Sequence, residues 1–336
     1  MESNDWLSLT QEEAIEPEIP ICDSHHHLWY HDETDYHVDH FLHDAAGGHR
    51  ILQTVFVESR MMLRKDGPEE MKPVGETEYV QRVVANCKNG SVDVAAGIVG
   101  FADLTLGAAV DRVLEAHLAA GKGRFRGIRS IGTWDASSAV RSRAPRGLYR
   151  DAGFQEGFSR LAKHGLSFDA CIYHPQLPDL LDLAGRFPDT TIILEHMGMP
   201  VFIGPYSQQR DKVLQDWQQS IAALAALPNL FIKLGGIGMP ILGQGWHQQA
   251  APPTSAVIAE AMKPYFSWCL EHFGVKRCMF ESNFPPDKRS CSYTVLWNAF
   301  KRLTQGMAPD EWVSLFAGTA VQVYRLPSPI KHAERQ

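Results

Sequence analysis

The stretch that decides the fold spans residues 19–29 and reads IPICDSHHHLW. Its apolar start predicts a first β-strand over Ile19–His25. Because alternate side chains of a strand point to the same face, His25 and His27 should project together, while His26 points the other way. Two imidazoles side by side can bind a transition metal or polarise a carbonyl group. A histidine-rich turn bonded to backbone atoms is the alternative interpretation of this segment alone.

Seven further strand-like segments follow the first, and helical periodicity fills most of the intervals between them. The strands are predicted over Ile51–Glu58, Val92–Val99, Phe125–Ile131, Leu166–Tyr173, Thr191–His196, Leu230–Leu234 and Arg277–Ser282. Strands that alternate with helices predict βαβ crossovers and a parallel sheet. The sequence therefore predicts the α/β class and a (β/α)8 TIM barrel in a single domain, with an open doubly wound sheet as the alternative.

The longest irregular segments all come after predicted strands. In a TIM barrel these loops lie at the carboxyl ends of the strands, where substrates bind. They occupy residues 31–49, 59–76, 198–209 and 235–253. We expect them to cover a pocket, although a surface insertion without function is the alternative for any one of them.

The composition is that of a globular protein, with 44% hydrophobic and 21% charged residues. A formal net charge of -7 and the lack of a long Lys/Arg run argue against a nucleic-acid partner. No apolar run reaches the ~18 residues of a membrane helix, and the acidic start lacks the pattern of a signal peptide. We therefore expect no membrane association and a cytoplasmic protein whose six scattered cysteines are reduced.

Polar residues end three more of the predicted strands. His174 follows the fifth strand, His196 ends the sixth, and Glu281 and Asn283 lie at the end of the eighth. These ends meet at one mouth of a barrel, so the side chains should converge on His25. Glu281 could activate water or complete a metal shell, or it could be the buried partner of an arginine, whereas Asn283 cannot act as a base.

Five short motifs follow one another along the chain. They are Asp23-x-His25-x-His27, Arg126-Gly127-Ile128-Arg129, His196-x-Gly198-x-Pro200, Lys233-Leu234-Gly235-Gly236 and Phe280-Glu281-Ser282-Asn283-Phe284-Pro285. Together they resemble the amidohydrolase-related (amidohydrolase 2) family of TIM-barrel hydrolases, and more narrowly its branch with pyrone-dicarboxylate lactonase and the sugar lactonases. The resemblance covers residues 18–326 as one domain and leaves 1–17 and 327–336 as terminal extensions.

The resemblance implies a site with a divalent metal, zinc or manganese, and with no organic cofactor. His25, His27 and His196 would be its ligands or, as in metal-independent members of the branch, electrophiles that act without a metal. A tightly held pair of ions is not expected, because the family commonly has an aspartate at the end of the eighth strand and this chain has Asn283 there.

A replacement for that aspartate is predicted from the neighbouring residues. Glu281 lies two residues earlier and is the first candidate for the base, with Asp287 as the second. The third alternative is that the chain has lost the usual activation of water. His174 and Asn283 complete the predicted catalytic set.

Three residues are predicted to contact the substrate. Arg129 belongs to the Gly-Ile-Arg motif and should orient a substrate carboxylate, since a guanidinium group pairs with carboxylates in a bidentate manner. Tyr206 and Trp246 lie in loops after the sixth and seventh strands and could form an apolar lid over a ring.

The predicted function is hydrolysis of a small lactone or cyclic ester that carries a carboxylate. A carboxylate or a histidine would deprotonate the attacking water. The alternatives are a metal-dependent decarboxylase of the same barrel family and a ligand-binding barrel without catalysis. The expected partner is a small molecule, and a homo-oligomer is compatible with the histidine-rich first loop.

Overall fold

The computed structural model describes residues 6–30, 35–87 and 92–328. Eight parallel strands form one sheet whose spatial order is the order of the sequence. They are β1 (Ile21–His26), β2 (Ile51–Val57), β3 (Asp93–Gly100), β4 (Phe125–Ile131), β5 (Ser167–Cys171), β6 (Ile192–Leu194), β7 (Leu230–Leu234) and β8 (Cys278–Phe280).

One principal helix follows each strand, so the helices carry the strands' numbers. They are α1 (Val38–Ala45), α2 (Val74–Asn86), α3 (Asp111–Ala120), α4 (Ala152–Lys163), α5 (Leu177–Arg186), α6 (Arg210–Ala225), α7 (Ser255–Phe273) and α8 (Tyr293–Leu303). Two short helices, α9 (Pro309–Val313) and α10 (Thr319–Val323), follow α8 and flank a π-helical turn at Ser314–Gly318. None of the described helices is long and apolar enough to cross a membrane.

Backbone hydrogen bonds close the sheet into a barrel beyond the end of β8. The amide of Asn283 donates to the carbonyl oxygen of His25 at 2.9 Å, and the amide of His27 donates to that of Phe284 at 2.8 Å. The predicted (β/α)8 TIM barrel is therefore confirmed, and the open doubly wound sheet is excluded.

The sixth and eighth strands are shorter than predicted at their carboxyl ends. They stop at Leu194 and Phe280, so His196 and Ser282 lie outside the regular ladder. The backbone then turns into the left-handed region at His196 (φ 54°) and at Asn283 (φ 51°). Residues other than glycine adopt this conformation at a cost, and such residues concentrate at functional sites.

The barrel interior contains a fully buried ion pair beneath the carboxyl ends. Lys233 Nζ on β7 donates to Asp169 Oδ2 on β5 at 2.8 Å. The hydroxyl group of Tyr324, which follows α10, donates to the same oxygen at 2.6 Å. Because isolated charges are costly to bury, the pair depends on both partners.

The N-terminal segment packs against the outside of the barrel. Glu12 accepts a hydrogen bond from the backbone amide of Ser255 at the start of α7 (2.7 Å), and Lys301 on α8 donates to the carbonyl oxygen of Ile15 (2.8 Å). Residues 1–5 and 329–336 of the two expected terminal extensions lie outside the described residues, as does His31 of the first loop.

Candidate active site

A cavity of about 1020 Å³ opens at the carboxyl ends of the strands. This is the end at which TIM barrels place their active sites. The polar side chains that border it include His27, Glu58, Arg129, Cys171, His196 and Asn283. Met239 and Ile241 supply an apolar wall.

The first-strand histidines adopt the predicted alternation. His27 Nδ1 lies 2.8 Å from the carbonyl oxygen of Val57 and donates its proton there, which leaves Nε2 unprotonated in the neutral ring. That atom lies 3.1 Å from His25 Nε2, while His26 turns the other way to Thr54. Burial lowers the pKa of His25 and His27 well below the usual value, so both rings are neutral.

Glu281 holds the ring of His196. Its Oε1 accepts hydrogen bonds from the backbone amide of His196 at 3.0 Å and from the ring Nδ1 at 2.7 Å. Proton donation from Nδ1 leaves Nε2 as the atom that can bind an ion or a proton. Burial lowers the pKa of His196, but the carboxylates of Glu281, Glu195 and Asp287 together outweigh it and raise the pKa above the usual value.

Glu281 itself does not border the cavity. Its other oxygen, Oε2, lies 2.8 Å from His25 Nδ1, so both carboxylate oxygens face histidines. The sequence also allowed an arginine as the buried partner of Glu281. In the structure its partners are the rings of His25 and His196. The arrangement suits a residue that orients His196 better than one that contacts a substrate.

Two consecutive glycines after β7 make room for this pair. A Cβ atom on Gly235 would lie 2.2 Å from Glu281 Cγ, and one on Gly236 would lie 2.7 Å from the His196 ring. Gly236 also adopts a positive φ of 68°. These two residues are therefore needed for the packing of the site as well as for the turn.

Arg129 borders the cavity but is already paired with protein carboxylates. Its Nε donates to Glu58 Oε1 at 2.8 Å, and its Nη1 reaches Glu195 Oε2 at 3.4 Å. A further guanidinium nitrogen donates to the backbone oxygen of Glu58. The guanidinium group thus holds two buried acids in place, which the sequence did not reveal.

Besides His25 and Glu281, three more of the expected site residues lie away from the cavity lining. His174 Nδ1 accepts a hydrogen bond from the backbone amide of Val201 at 3.1 Å. The Tyr206 hydroxyl donates to Asp135 at 2.6 Å, and Trp246 is buried in the main hydrophobic core. The apolar wall comes from other residues of the same loops, because these two aromatic side chains are engaged elsewhere.

Asn283 borders the cavity and is anchored from behind by Asp287. The Asn283 Nδ2 donates to Asp287 Oδ1 at 2.8 Å, and Asp287 Oδ2 accepts from the amide of Gly238 at 2.9 Å. Asp287 is fully buried outside the cavity lining, and burial raises its pKa to about 7. The second candidate for the base therefore acts on Asn283 rather than on the cavity.

Glu58 is a cavity carboxylate that sequence reasoning missed. It follows β2 directly, has no solvent exposure, and keeps Oε2 without a hydrogen bond among the described residues. Arg60 Nε lies 3.3 Å from that oxygen. The available signal was an acid at the end of an apolar strand, in Val57-Glu58-Ser59, at the end where barrel sites form.

Carboxylates outnumber cations in the buried region beneath the cavity. Arg129 and Lys233 are the buried cations that pair there. The carboxylates are Glu58, Asp169, Glu195 and Glu281, each with one oxygen that makes no hydrogen bond within the described ranges. His25 Nδ1 lies 2.8 Å from one of these oxygens, on Glu281, and 3.2 Å from another, on Glu195. Four buried carboxylates beside two buried cations fit a bound cation, because unpaired buried charges are costly.

Two groups of side chains could hold such an ion. His25, His196 and Glu281 form one group, and the ligand atoms of the group lie within 4.8 Å of one another. Cys171, Glu195 and His196 form the second, with the same spacing. His196 is common to both groups.

Comparison with known proteins identifies the family. The amidohydrolase family model matches residues 22–326. Uncharacterized protein y4mH of Sinorhizobium fredii (strain NBRC 101917 / NGR234) is 33% identical over 324 residues, covering 92% of this chain and 99% of its own length. An L-fucono-1,5-lactonase of Burkholderia multivorans (strain ATCC 17616 / 249) is 23% identical over 321 residues, covering 91% and 96%.

A similar fold occurs in a crystal structure of an amidohydrolase from Burkholderia multivorans with bound zinc. It is 24% identical, with 91% of this chain and 99% of that chain covered, at a TM-score of 0.69. The family model covers nearly the whole chain and includes all five of the motifs. The chain belongs to the amidohydrolase family and is an enzyme of the hydrolase type.

Proposed function

We propose that this protein hydrolyses a small lactone or cyclic ester that carries a carboxylate, with residues 18–326 as the catalytic domain. The observation that carries the proposal is the cavity itself, which His196, oriented by Glu281, and Glu58, whose Oε2 makes no hydrogen bond among the described residues, both border. Similarity to L-fucono-1,5-lactonase supports the lactone class.

Glu58 Oε2 is the proposed acceptor of the proton from water. The resulting hydroxide attacks the lactone carbonyl carbon, and His196, which can carry a proton on Nε2, would donate it in a hydrogen bond to the oxyanion that forms. The bond between the carbonyl carbon and the ring oxygen then breaks. The ring oxygen takes the proton back from Glu58, so a hydroxy acid leaves the site.

We propose that a divalent ion, zinc or manganese, assists this chemistry. The two ligand groups that share His196, the free carboxylate oxygens and the excess of buried negative charge all support a cation. An ion bound there would polarise the lactone carbonyl. The orienting role of Glu281 behind His196 suits a metal-bound histidine, which commonly donates its other ring proton to a carboxylate.

The rim of the cavity supports an anionic substrate. Arg141, Arg143 and Arg289 border the cavity, are exposed, and form no ion pair within the described part of the chain. Guanidinium groups recognise carboxylates well. Because Arg129 is already held by Glu58 and Glu195, we assign the substrate carboxylate to the rim arginines rather than to Arg129.

The test is a panel of substrates assayed with the purified protein. Sugar lactones and pyrone carboxylates are followed by proton release, and aromatic carboxylic acids are followed by release of carbon dioxide. We expect ring opening by the native protein, its loss in Glu58→Gln, and no loss in Glu271→Gln, whose side chain is exposed.

Two results would replace the proposal. Carbon dioxide release without lactone turnover would make the protein a decarboxylase of the same barrel family. Tight binding of lactones without turnover, unchanged in Glu58→Gln, would make it a ligand-binding barrel.

A further inference from the structure

Cys171 is the one cysteine among the described residues that line the cavity. It is the last residue of β5, is almost fully buried, and borders the cavity. Its Sγ, an oxygen of Glu195 and a ring nitrogen of His196 lie within 4.8 Å of one another. The catalytic steps proposed above leave this thiol without a role.

Two neighbours of Cys171, His196 and Glu195, present atoms that could bind an ion. The His196 ring donates Nδ1 to Glu281, so its Nε2 is the nitrogen left for a ligand bond. Glu195 is fully buried, and its Oε2 lies 3.9 Å from His196 Nε2 and 3.4 Å from Arg129 Nη1. Its Oε1 makes no hydrogen bond among the described residues and lies 3.2 Å from His25 Nδ1. An imidazole, a carboxylate and a thiol that converge in this way form a chemically complete set for zinc.

The alternative group of His25, His196 and Glu281 is less accessible. Neither His25 nor Glu281 borders the cavity, so a substrate could approach an ion held there only past the His196 ring. Glu281 Oε1 is also occupied by two hydrogen bonds from His196. In the group with Cys171, two of the three residues, Cys171 and His196, border the cavity.

We propose that Cys171 is a thiolate ligand, together with Glu195 and His196, of an ion that contacts the substrate cavity. The inference rests on the proposed function and deepens it, because a sulfur ligand selects a thiophilic ion such as Zn²⁺ over Mn²⁺ or Mg²⁺. On binding, the thiol proton passes to solvent and a sulfur–metal bond replaces the S–H bond.

Cadmium titration tests the sulfur ligand without any activity measurement. Metal-stripped protein is titrated with Cd²⁺, and the near-ultraviolet absorption of a thiolate–cadmium bond is recorded for the native protein, Cys171→Ser and Cys87→Ser. Cys87 lies after α2 and is the matched control, since it belongs to neither ligand group. We expect absorption with one equivalent in the native protein and in Cys87→Ser, and none in Cys171→Ser.

Zinc competition and alkylation supply independent readouts. We expect the dissociation constant for zinc to rise at least ~10-fold in Cys171→Ser. In the native protein, zinc should slow alkylation of Cys171 by iodoacetamide, measured by mass spectrometry of the peptide that contains it. This second measurement decides the matter even if the serine variant does not fold. Equal absorption in native and Cys171→Ser protein, or alkylation of Cys171 unchanged by zinc, overturns the inference.

The outcomes separate this inference from the proposed function. Lactone turnover by a protein in which zinc leaves Cys171 fully reactive would retain the lactonase and refute the sulfur ligand. Cadmium absorption that depends on Cys171, in a protein without lactone turnover, would support the sulfur ligand and refute the lactonase.

Discussion

Replacement of Glu281 by glutamine separates an orienting role from a role as catalytic base. Glu281 Oε1 accepts from the His196 ring at 2.7 Å and from its backbone amide at 3.0 Å, and the side chain is not part of the cavity lining. The amide variant keeps an acceptor at this position but removes the charge. Loss of such an outer partner of a histidine ligand typically costs ~10–100-fold in metal affinity or activity.

In free energy, that range corresponds to about 1.4–2.7 kcal/mol. The assay is kcat/KM for lactone opening at a series of zinc concentrations, with Glu271→Gln as the exposed control. We expect Glu281→Gln to recover part of its activity as zinc is raised, because its defect lies in how firmly His196 is held. A loss beyond ~1000-fold that zinc does not relieve would show that Glu281 itself takes the proton, and would refute the orienting role.

Three other expectations follow from the same geometry. Glu58→Gln should lower kcat by ~100–10,000-fold with little change in KM, as for loss of a general base; a small effect on kcat would remove Glu58 from the mechanism. Lys233→Met should destabilise the fold by about 3–5 kcal/mol in urea unfolding because it leaves Asp169 buried and unpaired, and the further change Asp169→Asn should restore much of the loss. Burial lowers the pKa of His117 to about 4, so between pH 6.5 and 4 the unfolded chain binds more protons and stability falls as the pH falls. His117→Gln should remove roughly 3 kcal/mol of that pH dependence, and an unchanged slope would contradict a neutral buried ring.

The barrel could be predicted from the sequence because the evidence for each strand and helix lies in a short stretch of residues. Each strand of a closed parallel barrel is covered on both faces and therefore appears as a short apolar run followed by a helix. The alternation of side chains along a strand is also a local rule, and it predicted that His25 and His27 lie on one face. The order of motifs along the chain then identified the family correctly.

The partners inside the site were harder to predict because they come from distant strands. Glu281 follows β8, whereas the imidazole that it holds follows β6, so no spacing rule links the two. Glu58 is adjacent to Arg129 only because β2 and β4 lie on either side of β3 in the barrel. The same holds for the loop aromatics, since the hydrogen bond of Tyr206 to Asp135 and the burial of Trp246 in the core depend on residues far away in the sequence.

Hydrolysis in water enriched in ¹⁸O tests the central claim most directly. A single turnover of a lactone carboxylate by the native protein should place one ¹⁸O atom in the newly formed carboxylate and none in the new hydroxyl group, because water attacks the carbonyl carbon and the ring oxygen leaves. Glu58→Gln should incorporate the label at the same position but ~100–10,000-fold more slowly. Label in the hydroxyl group, or consumption of substrate with carbon dioxide release and no labelled carboxylate, would contradict lactone hydrolysis at this site.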